Sequence, residues 1–197
     1  MSRLLLPLCL LLSLCHCAGV PTASAPPTIT ATAEPSTYVA DALQHEGVII
    51  AGQPGQADLP SLAEAGVREV FNLRTPGEME KLDFDEAESL QSLGIDYAQH
   101  PVGGDDYPWS PALLDAFSAA MASKDGPLLL HCGSGARASQ LYAAWLVRER
   151  GYRPDEALRT LSPKSGWPLP MEQLLDRPLR LELATPPSQG SFESSRR

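Results

Sequence analysis

One short segment of the chain has residue types that could do nucleophilic chemistry on an anion. Residues 131–138 have the sequence His-Cys-Gly-Ser-Gly-Ala-Arg-Ala. The apolar run 127–130 precedes this segment, and the helical pattern 139–147 follows it. A strand, a glycine-bearing loop and a helix in this order direct the loop N–H groups and the positive end of the helix dipole at one place. Such a place can hold an oxyanion.

A nucleophile and a cation lie at the two ends of this loop. The sulfur of Cys132 would feel the same positive field as a bound anion, which favours its thiolate. Arg137 can present two parallel N–H donors to two oxygens of an oxyanion. The alternative is that Cys132 is a small core residue in an ordinary turn and Arg137 is solvated. The residues expected to contact the anion are Gly133, Ser134, Gly135, Ala136 and Ser139.

Strand and helix patterns alternate through the middle of the chain. Strands are predicted at 48–51, 67–73, 95–102 and 128–131, and helices at 58–65, 84–93, 111–122, 138–150 and 154–161. This alternation predicts an α/β fold with a central, mostly parallel sheet of four to five strands and helices on both faces. Because ligands bind beyond the carboxyl ends of parallel strands, the loop that follows residue 131 is at the expected edge.

Composition and charge limit the classes of function. The 197 residues, 43% of them hydrophobic, can support one core. A net charge of −9 argues against nucleic acid and against an anionic membrane surface as a partner. The four histidines are scattered and no glycine-rich nucleotide motif is present, so neither a metal nor a cofactor is predicted.

The N-terminal 25 residues predict an export signal. Arg3 precedes an apolar stretch at 4–14 that is too short to span a membrane, and small residues follow it. We therefore expect an exported protein in the periplasm or cell envelope, with secretion as an alternative. A lipoprotein signal acylated at Cys15 or Cys17 is a second alternative, and only that signal would tether the protein to a membrane.

The remaining regions follow from composition. A flexible linker is expected at 26–37, one folded domain at 38–183 and a disordered tail at 184–197. Three of the four cysteines lie in the signal segment, so Cys132 is the one thiol of the expected mature domain. An unpaired thiol is an oxidation liability after export. It is therefore either buried and inert or retained for its chemistry.

The loop and the segments before it resemble the cysteine-dependent protein tyrosine phosphatase superfamily, in its dual-specificity-like branch. In the loop, the match rests on His131, Cys132, Gly135 and Arg137. Upstream, it rests on residues 51–54, 65–67, 72–74 with Pro76 and Glu78, 94–97 and 100–102. The most similar pattern is the phosphatase-like domain of beta-lactamase-hydrolase-like proteins, over about residues 47–162.

The resemblance implies hydrolysis of a phosphorylated or other oxyanionic substrate through a phosphocysteine at Cys132. It implies that His131 positions or tunes the loop by hydrogen bonding. It also implies a general acid on the loop after residue 102, where Asp105 and Asp106 are the candidates and Asp105 is preferred. The alternative for both carboxylates is a solvated turn.

The loop departs from the usual phosphatase pattern in its spacing. Four residues separate Cys132 from Arg137 instead of five, and the hydroxyl residue expected next is Ala138, with Ser139 one place later. Ser134 and Ser139 are the hydroxyls that could donate to the thiolate. The same four-residue gap is common in rhodanese-type sulfurtransferases, which carry a persulfide on the cysteine. Sulfur transfer and a catalytically degenerate domain that binds an oxyanion or a protein partner are therefore the alternatives.

Overall fold

The computed structural model describes residues 38–161 and 169–179. It contains a five-stranded sheet in the order β1-β2-β5-β3-β4, in which β1 is antiparallel to β2 and the other neighbours are parallel. The strands are β1 (Leu43–His45), β2 (Val48–Ala51), β3 (Glu69–Asn72), β4 (Asp96–Gln99) and β5 (Leu128–His131). The predicted signal peptide, linker and tail lie outside the described residues.

Seven α-helices are found among the described residues, and none is long and apolar enough to cross a membrane. They are α1 (Leu59–Glu64), α2 (Pro76–Met79), α3 (Glu86–Ser92), α4 (Pro111–Ser123), α5 (Ala136–Glu149), α6 (Pro154–Leu161) and α7 (Leu169–Leu175). Helices pack on both sheet faces, so the predicted α/β class with its mostly parallel sheet is confirmed.

The sheet is buried on both faces because its central strands are apolar throughout. Leu128 and Leu130 of β5 join one core cluster with helices α4 to α7, while Leu129 joins a second cluster with α1 and α3. Each of these leucines is fully buried and contributes about 1.5–3 kcal/mol to stability. The strand that leads into Cys132 is therefore held from two sides.

Strand β1 and helices α2 and α7 were not predicted from the sequence. β1 is a three-residue, half-buried edge strand, joined to β2 by a turn in which Glu46 (φ 46°) and Gly47 (φ 74°) both adopt left-handed conformations. Such a two-residue turn matches the strand twist, but it usually carries Asn-Gly or Asp-Gly. α2 and α7, with four and seven residues, are too short to show a clear helical period.

Helix α5 begins at Ala136, two residues before the predicted start. Gly135 is its N-cap residue and has a φ of 86°, a left-handed conformation that costs glycine little. The chain therefore turns into the helix at once, and the loop proper is limited to residues 132–135. Arg137 is consequently in the first turn of the helix.

Candidate active site

The loop of residues 132–135 lies against the end of strand β2. The N–H of Cys132 donates to the Ala51 carbonyl at 3.3 Å, and the N–H of Gln53 donates to the Gly133 carbonyl at 3.2 Å. A Cβ at Gly52 would lie 3.1 Å from that same Gly133 oxygen, so a larger residue would push the two segments apart. This close approach gives a chemical reason for the glycine at position 52.

The sulfur of Cys132 is buried and accepts a hydrogen bond. The residue is 1% exposed, and the N–H of Gly135 donates to Sγ at 3.1 Å. Gly133 and Ser134 are exposed and form the outer surface of the loop. Burial alone would suit the alternative of an inert core cysteine. A backbone donor aimed at the sulfur is instead what a thiolate needs.

Arg137 is held in place by a carboxylate and two carbonyl groups. Its Nη1 donates to Glu78 Oε2 at 2.9 Å and its Nη2 to Glu78 Oε1 at 2.6 Å. Nη1 also donates to the carbonyl oxygens of Val102 at 2.7 Å and Leu73 at 3.3 Å. These bonds fix the plane of the guanidinium group at the edge where the strands end.

Counting donors shows which edge of Arg137 is left for an anion. A guanidinium group has five N–H donors. Glu78 and the two carbonyls use both hydrogens of Nη1 and one of Nη2. Among the described residues, Nε–H and the second Nη2–H meet no oxygen acceptor, and the Cys132 sulfur also accepts a hydrogen bond from Arg137. These two parallel donors make a fork that fits two oxygens of one oxyanion.

The pairing of Glu78 with Arg137 shifts the pKa of both groups. The hydrogen bond from Arg137 is the largest cause that lowers the pKa of Glu78, from 4.5 to about 2. The same bond raises the pKa of Arg137, and the nearby Cys132 sulfur raises it further. Glu78 therefore stays charged at neutral pH and keeps the arginine in position beside the sulfur.

The pKa of Glu78 gives a testable stability effect. Because its folded pKa is depressed, its contribution is present above pH 4.5 and is lost as the pH falls from about 4.5 to about 2. Its side chain is 30% exposed, so we expect Glu78→Gln to lower the free energy of unfolding at pH 7 by about 1 kcal/mol after solvent screening. Urea unfolding at several pH values measures this difference.

The control for this substitution is Glu80→Gln, which changes an exposed carboxylate one residue beyond α2. The free energy of unfolding of this variant should match that of the wild type. The difference between Glu78→Gln and wild type should shrink as the pH approaches 2. A difference that is constant with pH would contradict the proposed charge interaction between Glu78 and Arg137.

The loop with the candidate acids starts beside Arg137. A Cβ at Gly103, whose φ is 145°, would lie 3.4 Å from Arg137 Nη1, and the Gly103 N–H donates to the Tyr107 carbonyl at 2.7 Å. Asp105 and Asp106 are exposed at the tip of this loop. The structure therefore places the loop next to the site, while the choice of one carboxylate as proton donor stays a prediction.

A stacked pair fixes the segment that leads to this loop. The His100 ring lies on Phe71 with 4.0 Å between ring centroids and 6° between planes. Burial lowers the pKa of His100, which favours its neutral form. Two residues later, Val102 donates its N–H to Leu73 at 3.1 Å and offers its carbonyl to Arg137. The stack thus supports one of the oxygens that hold the arginine.

The other residues predicted for the site differ in exposure and in their hydrogen bonds. Ala136 is exposed at the start of α5, and the Ser139 hydroxyl donates to the Gly135 carbonyl at 2.9 Å, so its proton supports the loop backbone. His131 is fully buried, and its Nε2 lies 3.5 Å from Glu86 Oε2. The substrate contacts assigned to Ser134, Ala136 and Ser139 stay predictions.

Several polar residues at the site were given no role from the sequence. Glu78 was detectable in part, since a Thr-x-x-Glu pattern is typical of a helix start, and Thr75 N–H does donate to its Oε2 at 2.9 Å. Glu86 gives no sequence signal. Within residues 38–161 and 169–179, no group of three or more His, Cys, Asp or Glu side chains could hold a metal ion. The overlooked residues are Gln53, Asn72, Glu78 and Glu86.

Comparison with known proteins assigns the fold to a class. The described domain shares its fold with Tk-PTP in its active form (TM-score 0.53, 21% identity, 66% of this chain and 92% of that one). It also shares its fold with PTPMT1 (TM-score 0.55, 20% identity, 66% of this chain and 87% of that one). At these identities the likeness shows the fold, which is that of the protein tyrosine phosphatases.

The family assignment is more specific. The model of the phosphatase-like domain of beta-lactamase hydrolase-like proteins matches residues 43–147, and the chain belongs to this family. It is 37% identical over 100 residues to the beta-lactamase hydrolase-like protein of Agrobacterium fabrum, covering 50% of this chain and 23% of the relative. For the Xylella fastidiosa protein the identity is 34% over 114 residues, with 57% and 26% covered. The chain thus spans about a quarter of these relatives. The family and the fold support a phosphatase-type hydrolase.

Proposed function

We propose that this domain hydrolyses phosphomonoesters through a phosphocysteine on Cys132. The observation that carries the proposal is the edge of Arg137 formed by Nε–H and the second Nη2–H, which bonds no protein oxygen and lies beside the Cys132 sulfur that accepts the Gly135 N–H. A phosphoryl group has three equatorial oxygens, and two of them suit this fork. The third is left to the loop N–H groups.

The reaction takes two steps. The Cys132 thiolate attacks phosphorus, so that an S–P bond forms while the bond from phosphorus to the ester oxygen breaks. Asp105, or Asp106 in its place, gives a proton to the leaving oxygen. Water then attacks the phosphocysteine and returns a proton to the carboxylate, and the S–P bond breaks to release phosphate and restore the thiolate. Arg137 stabilises the equatorial oxygens in both steps.

The substrate class follows from the site and from the expected address of the protein. Export to the periplasm or cell envelope, which residues 1–25 support, is part of the proposal. A phosphorylated or similar oxyanionic molecule in that compartment is the proposed substrate. Tyrosine or dual specificity for protein substrates would be a finer property of the same site.

Two assays on the purified full chain test the proposal. One follows p-nitrophenol release from p-nitrophenyl phosphate, and the other follows thiocyanate formation from thiosulfate and cyanide. We expect p-nitrophenol release, and we expect orthovanadate to slow inactivation by iodoacetate because both compete for the Arg137 fork and the Cys132 sulfur. Thiocyanate without p-nitrophenol would favour the sulfurtransferase alternative. Inactivity in both assays with an unreactive thiol would favour a binding domain.

A further inference from the structure

A buried carboxylate lies behind the nucleophile loop. Glu86, the first residue of α3, is 2% exposed. Its Oε1 accepts from Gln53 Nε2 at 2.6 Å, and its Oε2 accepts from Asn72 Nδ2 at 3.3 Å. His131 Nε2 lies 3.5 Å from Oε2, and neither ring nitrogen of His131 has a hydrogen-bond partner among the described residues. Glu86 is therefore the acceptor that the buried imidazole faces.

The orientations of the two amides follow from their other partners. Gln53 Oε1 accepts from Arg74 Nη1 at 2.6 Å, and Asn72 Oδ1 accepts from the Arg74 N–H at 2.8 Å. These Arg74 groups can only donate, so the amide oxygens must face Arg74 and the amide nitrogens must face Glu86. Both carboxylate oxygens of Glu86 thus act as acceptors from neutral donors.

The partners of Glu86 lead to both ends of the nucleophile loop. The Gln53 N–H donates to the Gly133 carbonyl at 3.2 Å, and His131 directly precedes Cys132. Through Gln53, the bonds continue to Arg74, whose Nη2 donates to the Glu78 carbonyl at 2.8 Å. Glu78 in turn holds Arg137. Glu86 is therefore linked by hydrogen bonds both to the residues that support the Cys132 loop and, through Gln53 and Arg74, to the residue Glu78 that holds Arg137.

We propose that Glu86 is a positioning residue for the Cys132–Arg137 loop, acting through the hydrogen bonds that it accepts from Gln53 and Asn72. The inference deepens the proposed phosphatase function and rests on it for its catalytic consequence. Removing an acceptor oxygen here takes one bond from a buried or half-buried amide donor, and a buried donor that loses its acceptor costs more than the bond itself. The segments that carry Gln53 and His131 would then shift, and displacing a reacting group by about 1 Å can cost on the order of 100-fold in rate.

The first test is Glu86→Gln. The new amide has only one acceptor oxygen, so either Gln53 Nε2 or Asn72 Nδ2 loses the bond that it makes to Glu86. We expect kcat for p-nitrophenyl phosphate to fall about 100-fold, mainly without a matching change in KM, and carboxymethylation of Cys132 by iodoacetate to slow. Glu88→Gln, an exposed carboxylate on the same helix, is the control and should leave both rates unchanged.

The second test is the double variant Gln53→Glu with Glu86→Gln. The new carboxylate at position 53 can accept both from Arg74 Nη1 and from the new amide at position 86. The amide oxygen at position 86 can then accept from Asn72 Nδ2. The bonds made at position 86 are then replaced and the negative charge lies at position 53, while the bond from Gln53 Nε2 to the Pro54 carbonyl is lost. We expect the double variant to recover most of the kcat and most of the alkylation rate that Glu86→Gln loses.

The outcomes separate the inference from the proposed function. If the protein has no phosphatase activity, loss of Cys132 alkylation in the single variant and its recovery in the double still support the positioning role. A folded Glu86→Gln variant with wild-type rates would overturn it. A folded double variant no better than the single would also overturn it. If the single variant does not fold, the double decides, because it restores the bonds between position 86 and its partners at positions 53 and 72. A double variant that is unfolded or unreactive counts against the inference.

Discussion

Cys132→Ser is expected to abolish the release of p-nitrophenol from p-nitrophenyl phosphate, with a loss of at least about 10⁴-fold in kcat. The serine hydroxyl keeps its proton at neutral pH, and the single Gly135 N–H that now reaches the sulfur cannot make an alkoxide available. Steady-state kinetics measure this effect, after the p-nitrophenol released in the absence of enzyme has been subtracted. The size of the loss follows from the removal of the covalent step.

The variant must keep its fold and its anion site for this result to be informative. The position is 1% exposed, so a hydroxyl in place of a thiol should cost little volume, and circular dichroism should match that of the wild type. Because Arg137 is unchanged, phosphate or tungstate should still bind. Retention of more than a few per cent of the wild-type kcat would rule out Cys132 as the nucleophile.

Arg137→Lys is expected to lower kcat/KM about 10³-fold, the lower end of what a transition-state arginine contributes in phosphoryl transfer. A lysine carries one ammonium group and cannot bind Glu78 with two parallel bonds while offering a second fork to an oxyanion. Both the position of the cation and its contact with the equatorial oxygens are lost. Kinetics with p-nitrophenyl phosphate and inhibition by orthovanadate measure the two losses.

Arg148→Lys is the matched control, because it makes the same change on the same helix. Arg148 Nη1 pairs with Asp115 at 2.7 Å on the side of α5 that packs against α4, and it touches none of the loop residues. Its kcat/KM should stay near that of the wild type. Equal losses in the two variants would mean that the helix, and not the guanidinium group at 137, is what the activity depends on.

The sequence determined the architecture of this protein because its signals are local. Strand β5 and helix α6 were predicted with the observed bounds. An apolar run before a glycine loop is typical of a buried strand, and an amphipathic segment that begins with Pro is typical of a helix. The loop with Cys132 and Arg137 was likewise evident from spacing. Secondary structure that depends on residues close together in the sequence can therefore be predicted from the sequence.

The supports of the site were decided only by the tertiary structure. Glu78, 59 residues before Arg137, becomes its partner because β3 and β5 are adjacent, parallel strands whose carboxyl ends meet at one edge. Glu86 reaches His131 for the same reason, from a helix packed on the opposite face to α5. No pattern in the sequence identifies the residue, far along the chain, that a carboxylate on a short helix will contact. The burial that makes such a contact strong exists only once the sheet and its two helical layers have assembled.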